Sequence, residues 1–193
     1  MNTTTNKPIS RFPVPTFEEL PEDLQERFLA FKEQLGFIPN VFSALAHRPA
    51  EVRAFLAYLD ALIFNEGSRL SAAEKEMLVV AHSSYNGCNY CVQSHSAKLR
   101  MFSGNPQIAD QIAVNYHEAD ITPREKAIID FALKITIESA KVDEADFEML
   151  RGHDLNDEDI WDVAAIASFF NMSNRMMNFA AIRAHDEFYT MWR

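Results

Sequence analysis

Residues 71–95, SAAEKEMLVVAHSSYNGCNYCVQSH, decide how this chain folds. Ser71 and Glu74 stand three apart at the head of an apolar run, the spacing of a capping box in which serine and glutamate satisfy each other's backbone donors. The pattern predicts a helix from Ala72 to about Asn86. Gly87 breaks it, and a second helix begins at Cys88 and runs to about Phe102, where Ser103-Gly104-Asn105-Pro106 stops it. Both cysteines of the protein, Cys88 and Cys91, fall in the first turn of that second helix, and His95 follows four residues later. Separations of three and four stack side chains on one helix face, so two sulfurs and an imidazole share a face.

Working outward, the same helical signals recur. Ile9 to Pro15 holds two prolines and reads as an extended arm, available to pack on a partner subunit, within an arm region of residues 1–20. Residues 21–193 read as one helical domain. A helix is expected from Pro21 to Leu35, closed by Gly36, then a short helical connection over Asn40–Pro49 and a helix over Ala50–Phe64 stopped by Asn65-Glu66-Gly67. A short helix covers Gln107–Asn115, and Thr122-Pro123-Arg124-Glu125 gives a second capping box with proline at the first helical position. Asp143–Arg151 closed by Gly152, Asp157–Phe170 and Ser173–Trp192 complete the helices. No period-2 pattern with turn signals stands out, so the expected class is all-α. Shifting the chain by 85 residues lays Ser83 over Ser168, Asn86 over Asn171, Cys88 over Ser173 and Cys91 over Met176. That echo reads either as a duplicated helix pair or as the generic likeness of two capped amphipathic pairs.

With 193 residues and 48% apolar content the chain can bury a substantial core. Only five glycines occur, and six of eight prolines precede position 50, so the rest favours helix. A net charge of −10 with no basic cluster gives little support for nucleic-acid or anionic-membrane partners. No stretch approaches the ~18 apolar residues of a membrane span, and the first residues lack the apolar core of a signal peptide. The expected location is the cytoplasm, where a C-x-x-C is catalytic or metal-binding more often than a structural disulfide.

A cysteine at a helix N-terminus meets unpaired N–H groups and the positive end of the macrodipole, which favour thiolate. On the preceding helix Glu74 is engaged in its capping box. Glu76, Val80 and Ser83 point together toward the Asn86-Gly87 turn, which makes Glu76 the candidate proton relay; a lone glutamate of this kind is otherwise a solvated surface group. Cys88, Cys91, His95 and a carboxylate could also form a zinc set, although no second C-x-x-C or H-x-x-x-H completes it. A thioredoxin-like oxidoreductase needs a βαβ context that is absent. An interaction protein with relic cysteines is a further alternative. In it the Phe169–Phe179 stretch, rich in Met and Phe, would form a pocket or, more commonly, core or interface. His82 reads as structural, and His47, His117, His153 and His185 have no convergent partners in sequence.

The stretch from Leu70 to His95, with Glu76 twelve residues before Cys88, resembles the AhpD-like alkylhydroperoxidase and carboxymuconolactone decarboxylase superfamily, specifically its uncharacterised peroxidase-related branch. Gly36-Phe37-Ile38-Pro39-Asn40, Ala46-His47-Arg48-Pro49, Asn86-Gly87-Cys88-Asn89-Tyr90-Cys91 and Phe170-Asn171-Met172-Ser173-Asn174-Arg175 extend the likeness over about residues 10–190. The resemblance implies an all-helical bundle that assembles as a homo-oligomer (dimer, trimer or hexamer) and carries no metal or organic cofactor. It implies a thiol peroxidase in which Cys91 attacks the hydroperoxide, Cys88 resolves the sulfenic acid to a disulfide, and Glu76 and His95 pass protons. A dithiol donor of lipoyl or thioredoxin type would restore the thiols. Relatives keep a histidine two positions after the first cysteine, where this chain has Tyr90, and the members that decarboxylate lactones lack the C-x-x-C.

Overall fold

The computed structural model describes residues 7–193, and within them the chain is helical with no strands. Nine α-helices follow one another among the described residues: α1 (Glu22–Leu35), α2 (Asn40–Leu45), α3 (Pro49–Ile63), α4 (Ala72–Tyr85), α5 (Asn89–Ser103), α6 (Ile108–Asn115), α7 (Pro123–Glu138), α8 (Glu144–Gly152) and α9 (Asp157–Ala180). Short 3₁₀ turns sit before, between and after them, the first at Phe17–Glu19 and the last at Asp186–Tyr189.

The capping boxes do what the sequence assigned to them. Ser71 Oγ accepts from Glu74 N–H at 3.1 Å while the Glu74 carboxylate accepts from Ser71 N–H at 2.8 Å, and Thr122 and Glu125 repeat the arrangement at the head of α7. Asn156 and Asp159 make a third box at α9. Two of these boxes are tied into the tertiary structure by arginines. Arg124 Nε donates to Glu74 at 2.7 Å, and Arg69 donates to Asp159, whose side chain is wholly buried. Each carboxylate therefore serves a helix end and an ion pair at once, which offsets the cost of burying it.

α4 is the axis of the bundle. It packs on α5, α6, α7 and α9, and residues 74–83 are all buried, so it has no solvated face. Gly87 ends it in the left-handed conformation at φ 62°, with Gly87 N–H on Ser84 O and Cys88 N–H on Ser83 O. These are the paired bonds of a Schellman turn, and they send α5 back antiparallel along α4.

The expectation of separate helices over Asp157–Phe170 and Ser173–Trp192 is corrected. α9 runs unbroken from Asp157 to Ala180 and ends where Ala181 turns left-handed at φ 51°. Asn171, Ser173 and Asn174 carry polar side chains of the kind that mark turns, yet Asn171 and Asn174 bond across to other helices, so the α9 backbone has no reason to break there. The helix end is set from far away in sequence. Arg11 N–H donates to Ala180 O at 2.8 Å, and Arg183 N–H donates to Ile9 O at 3.0 Å. The arm pairs over Ile9–Arg11 with the last residue of α9 and the segment after it; residues 1–6 of the arm region lie outside the described residues. The 85-residue echo holds over α4 and the first half of α9, but Met172, the counterpart of Gly87, lies within a continuous helix, so the second half contains no helix pair.

His82 sits inside this bundle, fully buried, with neither ring nitrogen hydrogen-bonded. Burial pulls its imidazole from the ordinary 6.5 down to about 3; the Leu78 carbonyl opposes this slightly and the nearby His95 adds to it. The native ring therefore stays neutral where the unfolded ring takes a proton. Between about pH 6.5 and 3 the unfolded state binds more protons, so stability is full above that window and falls as pH drops through it, by about 1.4 kcal/mol per pH unit. His82→Leu is expected to remove that component from the pH dependence of unfolding, measured by urea titration at several pH values. A variant curve parallel to wild type would show that His82 does not titrate on unfolding.

Candidate active site

α4, α5 and α9 converge on the start of α5. Cys88 is its N-cap, and its sulfur accepts from Cys91 N–H at 3.4 Å. Both cysteines are free thiols, Cys88 0% and Cys91 2% exposed. The pair does not titrate evenly. The Cys91 side chain donates to Cys88 and holds its thiol below the ordinary range against the opposing effect of burial, with backbone N–H groups and Asn174 helping. Cys91 is pushed up, first by donating to Cys88 and then by burial, and Asn174 and Ser173 only partly offset this. When the pair gives up its first proton, these contacts place the charge on Cys88.

One turn further along α5 is a second couple. His95 Nδ1 lies 2.5 Å from the Glu76 carboxylate, and both side chains are buried. Burial alone would raise Glu76, but His95 and Lys98 outweigh it and keep the carboxylate ionised; Lys98 Nζ stands 3.9 Å away. For His95, burial depresses the imidazole more than Glu76 restores it. The consistent resting state is an anionic Glu76 accepting Nδ1–H from a neutral His95, which leaves Nε2 able to take a proton. Phe170 of α9 packs edge-on to the His95 ring at 4.6 Å and fixes its plane. A cleft of about 520 Å³ lined by Ile63, Phe64, Leu70, Lys75 and Phe102 opens onto Glu76.

All four residues named from the sequence, Glu76, Cys88, Cys91 and His95, thus lie along the α4–α5 hairpin. They form two couples rather than one: the thiols are governed by each other, Asn174 and Ser173, and the imidazole by Glu76, Lys98 and burial. Phe170, Ser173 and Asn174 were missed. Their signal was present in the 85-residue echo, which lays Ser173 over Cys88. Tyr90 points out of the site. Its hydroxyl accepts from Val41 N–H at 3.4 Å, and burial drives its pKa far above the ordinary range, so it anchors α2 and stays protonated, with no part in proton transfer at neutral pH. Among the described residues no group of three or more His, Cys, Asp and Glu is placed to hold a metal ion. No helix there is long and apolar enough to cross a membrane.

Helices packed around a buried C-x-x-C with a carboxylate–imidazole couple define an AhpD-type fold, and the comparisons agree. The carboxymuconolactone decarboxylase family model matches residues 49–134. The alkylhydroperoxidase AhpD core protein of Ralstonia eutropha JMP134, an uncharacterized peroxidase-related protein, is 53% identical with a TM-score of 0.95, covering 97% of this chain and 98% of its own. An uncharacterized peroxidase-related protein from Silicibacter sp. TM1040 is 39% identical, TM-score 0.92, over 99% of this chain and 100% of its own. The debrominase Bmp8 shares the fold at 20% identity and a TM-score of 0.76 over 97% of each chain. No curated protein matches. The chain belongs to the AhpD-like carboxymuconolactone decarboxylase superfamily.

Glu76→Gln keeps a hydrogen-bond acceptor for His95 Nδ1–H but removes the charge that opposes the burial of the imidazolium. It is expected to slow thiol oxidation about 10²-fold and to move the His95-dependent limb of the pH–rate profile to lower pH, in stopped-flow reactions with excess hydroperoxide. A wild-type profile in this variant would take Glu76 out of the proton path.

Proposed function

We propose that this protein is a thiol-dependent peroxidase that reduces hydroperoxides through a Cys88–Cys91 disulfide cycle. The observation that carries the reading is the pair of buried free thiols at a helix start, one turn from a carboxylate-backed imidazole. Family membership and the peroxidase-related names of its relatives support it.

In the cycle, Cys91 attacks the distal oxygen of the hydroperoxide as its proton passes to Cys88. The O–O bond breaks, an alcohol leaves with a proton supplied through His95, and Cys91 becomes a sulfenic acid. The Cys88 sulfur then attacks the Cys91 sulfur, the S–O bond breaks and water departs, giving the disulfide. The sum is two thiols and one hydroperoxide converted to a disulfide, an alcohol and water. A dithiol donor of lipoyl or thioredoxin type returns the pair to thiols by exchange and is itself oxidised to a disulfide. Burial of both sulfurs favours a slender donor of the lipoyl kind. Assembly as a homo-oligomer belongs to the same reading, and the exposed Phe64, Val114 and Trp161 give it apolar surface to use.

The order of the two thiols is open to direct test. Cys88→Ser, treated with one equivalent of hydroperoxide, is expected to accumulate a sulfenic acid on Cys91 that a dimedone-type probe traps for mass spectrometry, whereas Cys91→Ser gives far less adduct. The reverse labelling would make Cys88, the more acidic thiol, the attacking one. No adduct in either variant would contradict peroxidase chemistry.

A further inference from the structure

The face of α5 that carries Cys88, Cys91 and His95 continues, at spacings of three and four, to Lys98 and Phe102. Phe102 lines the cleft that opens onto Glu76, so Lys98 stands along the helix between that cleft and the imidazole. The Glu76 carboxylate is divided between two neighbours. Oε2 takes the His95 Nδ1–H at 2.5 Å, and Oε1 faces Lys98 Nζ at 3.9 Å. The Glu76 side chain is 3% exposed and that of Lys98 41%, so a buried anion is paired with a cation that solvent still wets. Among the described residues no other lysine or arginine comes within 4.0 Å of this carboxylate. The remaining ionisable groups around the couple are engaged elsewhere or neutral. On α4, Lys75 donates to the Leu62 and Ile63 carbonyls at 3.3 and 3.1 Å and is drawn toward Asp162 of α9, and burial keeps the His82 ring neutral down to about pH 3. Glu66, ahead of α4, lines the same cleft and is exposed. Cys88 and Cys91 precede His95 on α5, and against the imidazole itself α9 sets the uncharged Phe170 ring.

We propose that Lys98 is the positioning residue of the Glu76–His95 couple: it holds Oε1, leaves Oε2 to the imidazole, and keeps a proton taken up by His95 from being trapped beside a buried carboxylate. Only the use made of that proton, protonation of the leaving alcohol, rests on the peroxidase reading above. A buried anion standing alone beside a histidine stabilises imidazolium, and a proton held that firmly is slow to leave. A positive charge on the far carboxylate oxygen stabilises the anion while it repels imidazolium. One residue thus secures the hydrogen-bond acceptor and makes the imidazolium a readier donor. The electrostatic balance runs the same way at both groups. Burial depresses the imidazole, Glu76 opposes this, and Lys98 adds to the fall; at Glu76, burial raises the carboxyl while His95 and then Lys98 bring it down.

Titration of the His95 ring by NMR in the full-length reduced protein reads this directly, with its Cε1–H signal assigned as the one missing from His95→Gln. Lys98→Met is expected to raise the His95 midpoint by about half a pH unit or more, about a threefold rise in imidazolium above the midpoint, and Lys98→Arg to restore the wild-type value. Lys98→Met also moves the His95-dependent limb of the pH–rate profile to higher pH, the direction opposite to Glu76→Gln. Salt gives a check without substitution, because Lys98 is wetted and the couple is not. Going from about 0.01 M to about 1 M salt cuts the screening length from about 30 Å to about 3 Å, and is expected to raise the wild-type midpoint toward that of Lys98→Met while leaving the variant in place. Circular dichroism verifies that Lys98→Met is folded; should it not fold, the salt series decides alone, and a wild-type midpoint that ignores salt then overturns the proposal. An unshifted or lowered His95 midpoint in folded Lys98→Met overturns it as well. Because the NMR titration needs no peroxide, a raised midpoint in a protein that fails to consume hydroperoxide would keep Lys98 in this role and remove the peroxidase reading instead.

Discussion

The Schellman turn at Asn86-Gly87 is the constraint on which the rest depends. A left-handed residue there lets α5 start with only three residues between it and the end of α4, antiparallel and in contact along their lengths. One turn shifts a cysteine to an N-cap, a second cysteine to the following helical turn, and a histidine opposite a glutamate twelve residues before the first sulfur. A Cβ at Gly87 would meet nothing within 4 Å, so what the position demands is the backbone conformation and not space. The helix that carries the carboxylate is itself surrounded by α5, α6, α7 and α9, which keeps the hairpin rigid.

Electrostatically the site is economical. The contacts around each couple favour the negative charge on one member, Cys88 of the thiol pair and Glu76 of the other, and in each they are mainly oriented donors. The sulfur pair has Cys91, backbone N–H groups and Asn174; the carboxylate has the His95 Nδ1–H with Lys98 at the rim. Beside the site, Asn86, Asn171, Asn174 and Thr136 form a hydrogen-bonded chain that ties α9 to the end of α4 and to α7. In the proposed cycle the two couples take separate tasks, with proton exchange between the thiols and protonation of the leaving alcohol assigned to the imidazole.

Much of this was legible in the sequence, for local reasons. Capping boxes at Ser71 and Thr122, the glycine break, and spacings of three and four are short-range signals, and they give the helices, the all-α class and the placing of Cys88, Cys91 and His95 on one helix. What was not legible depends on residues distant in the chain. Asn171-Met172-Ser173 looks like a break because polar side chains near one another commonly compete with the helix backbone. Here Asn171 is claimed by Asn86 and Thr136, and α9 continues. Its true end answers to Ile9 and Arg11, some 170 positions away. Tyr90 falls where relatives have an imidazole, yet nothing local announces that its hydroxyl belongs to Val41. Asn174 and Phe170 likewise act on the site only through tertiary contact.

The central claim is that Cys88 and Cys91 form one redox unit that a hydroperoxide closes into a disulfide. The most direct measurement is a free-thiol count, with mass analysis under non-reducing conditions, on the reduced protein before and after one equivalent of hydroperoxide. The account predicts loss of both thiols and of two hydrogens per chain, within the monomer mass, reversed by a dithiol. Retention of both thiols, or oxidation confined to one sulfur without disulfide formation, would contradict it.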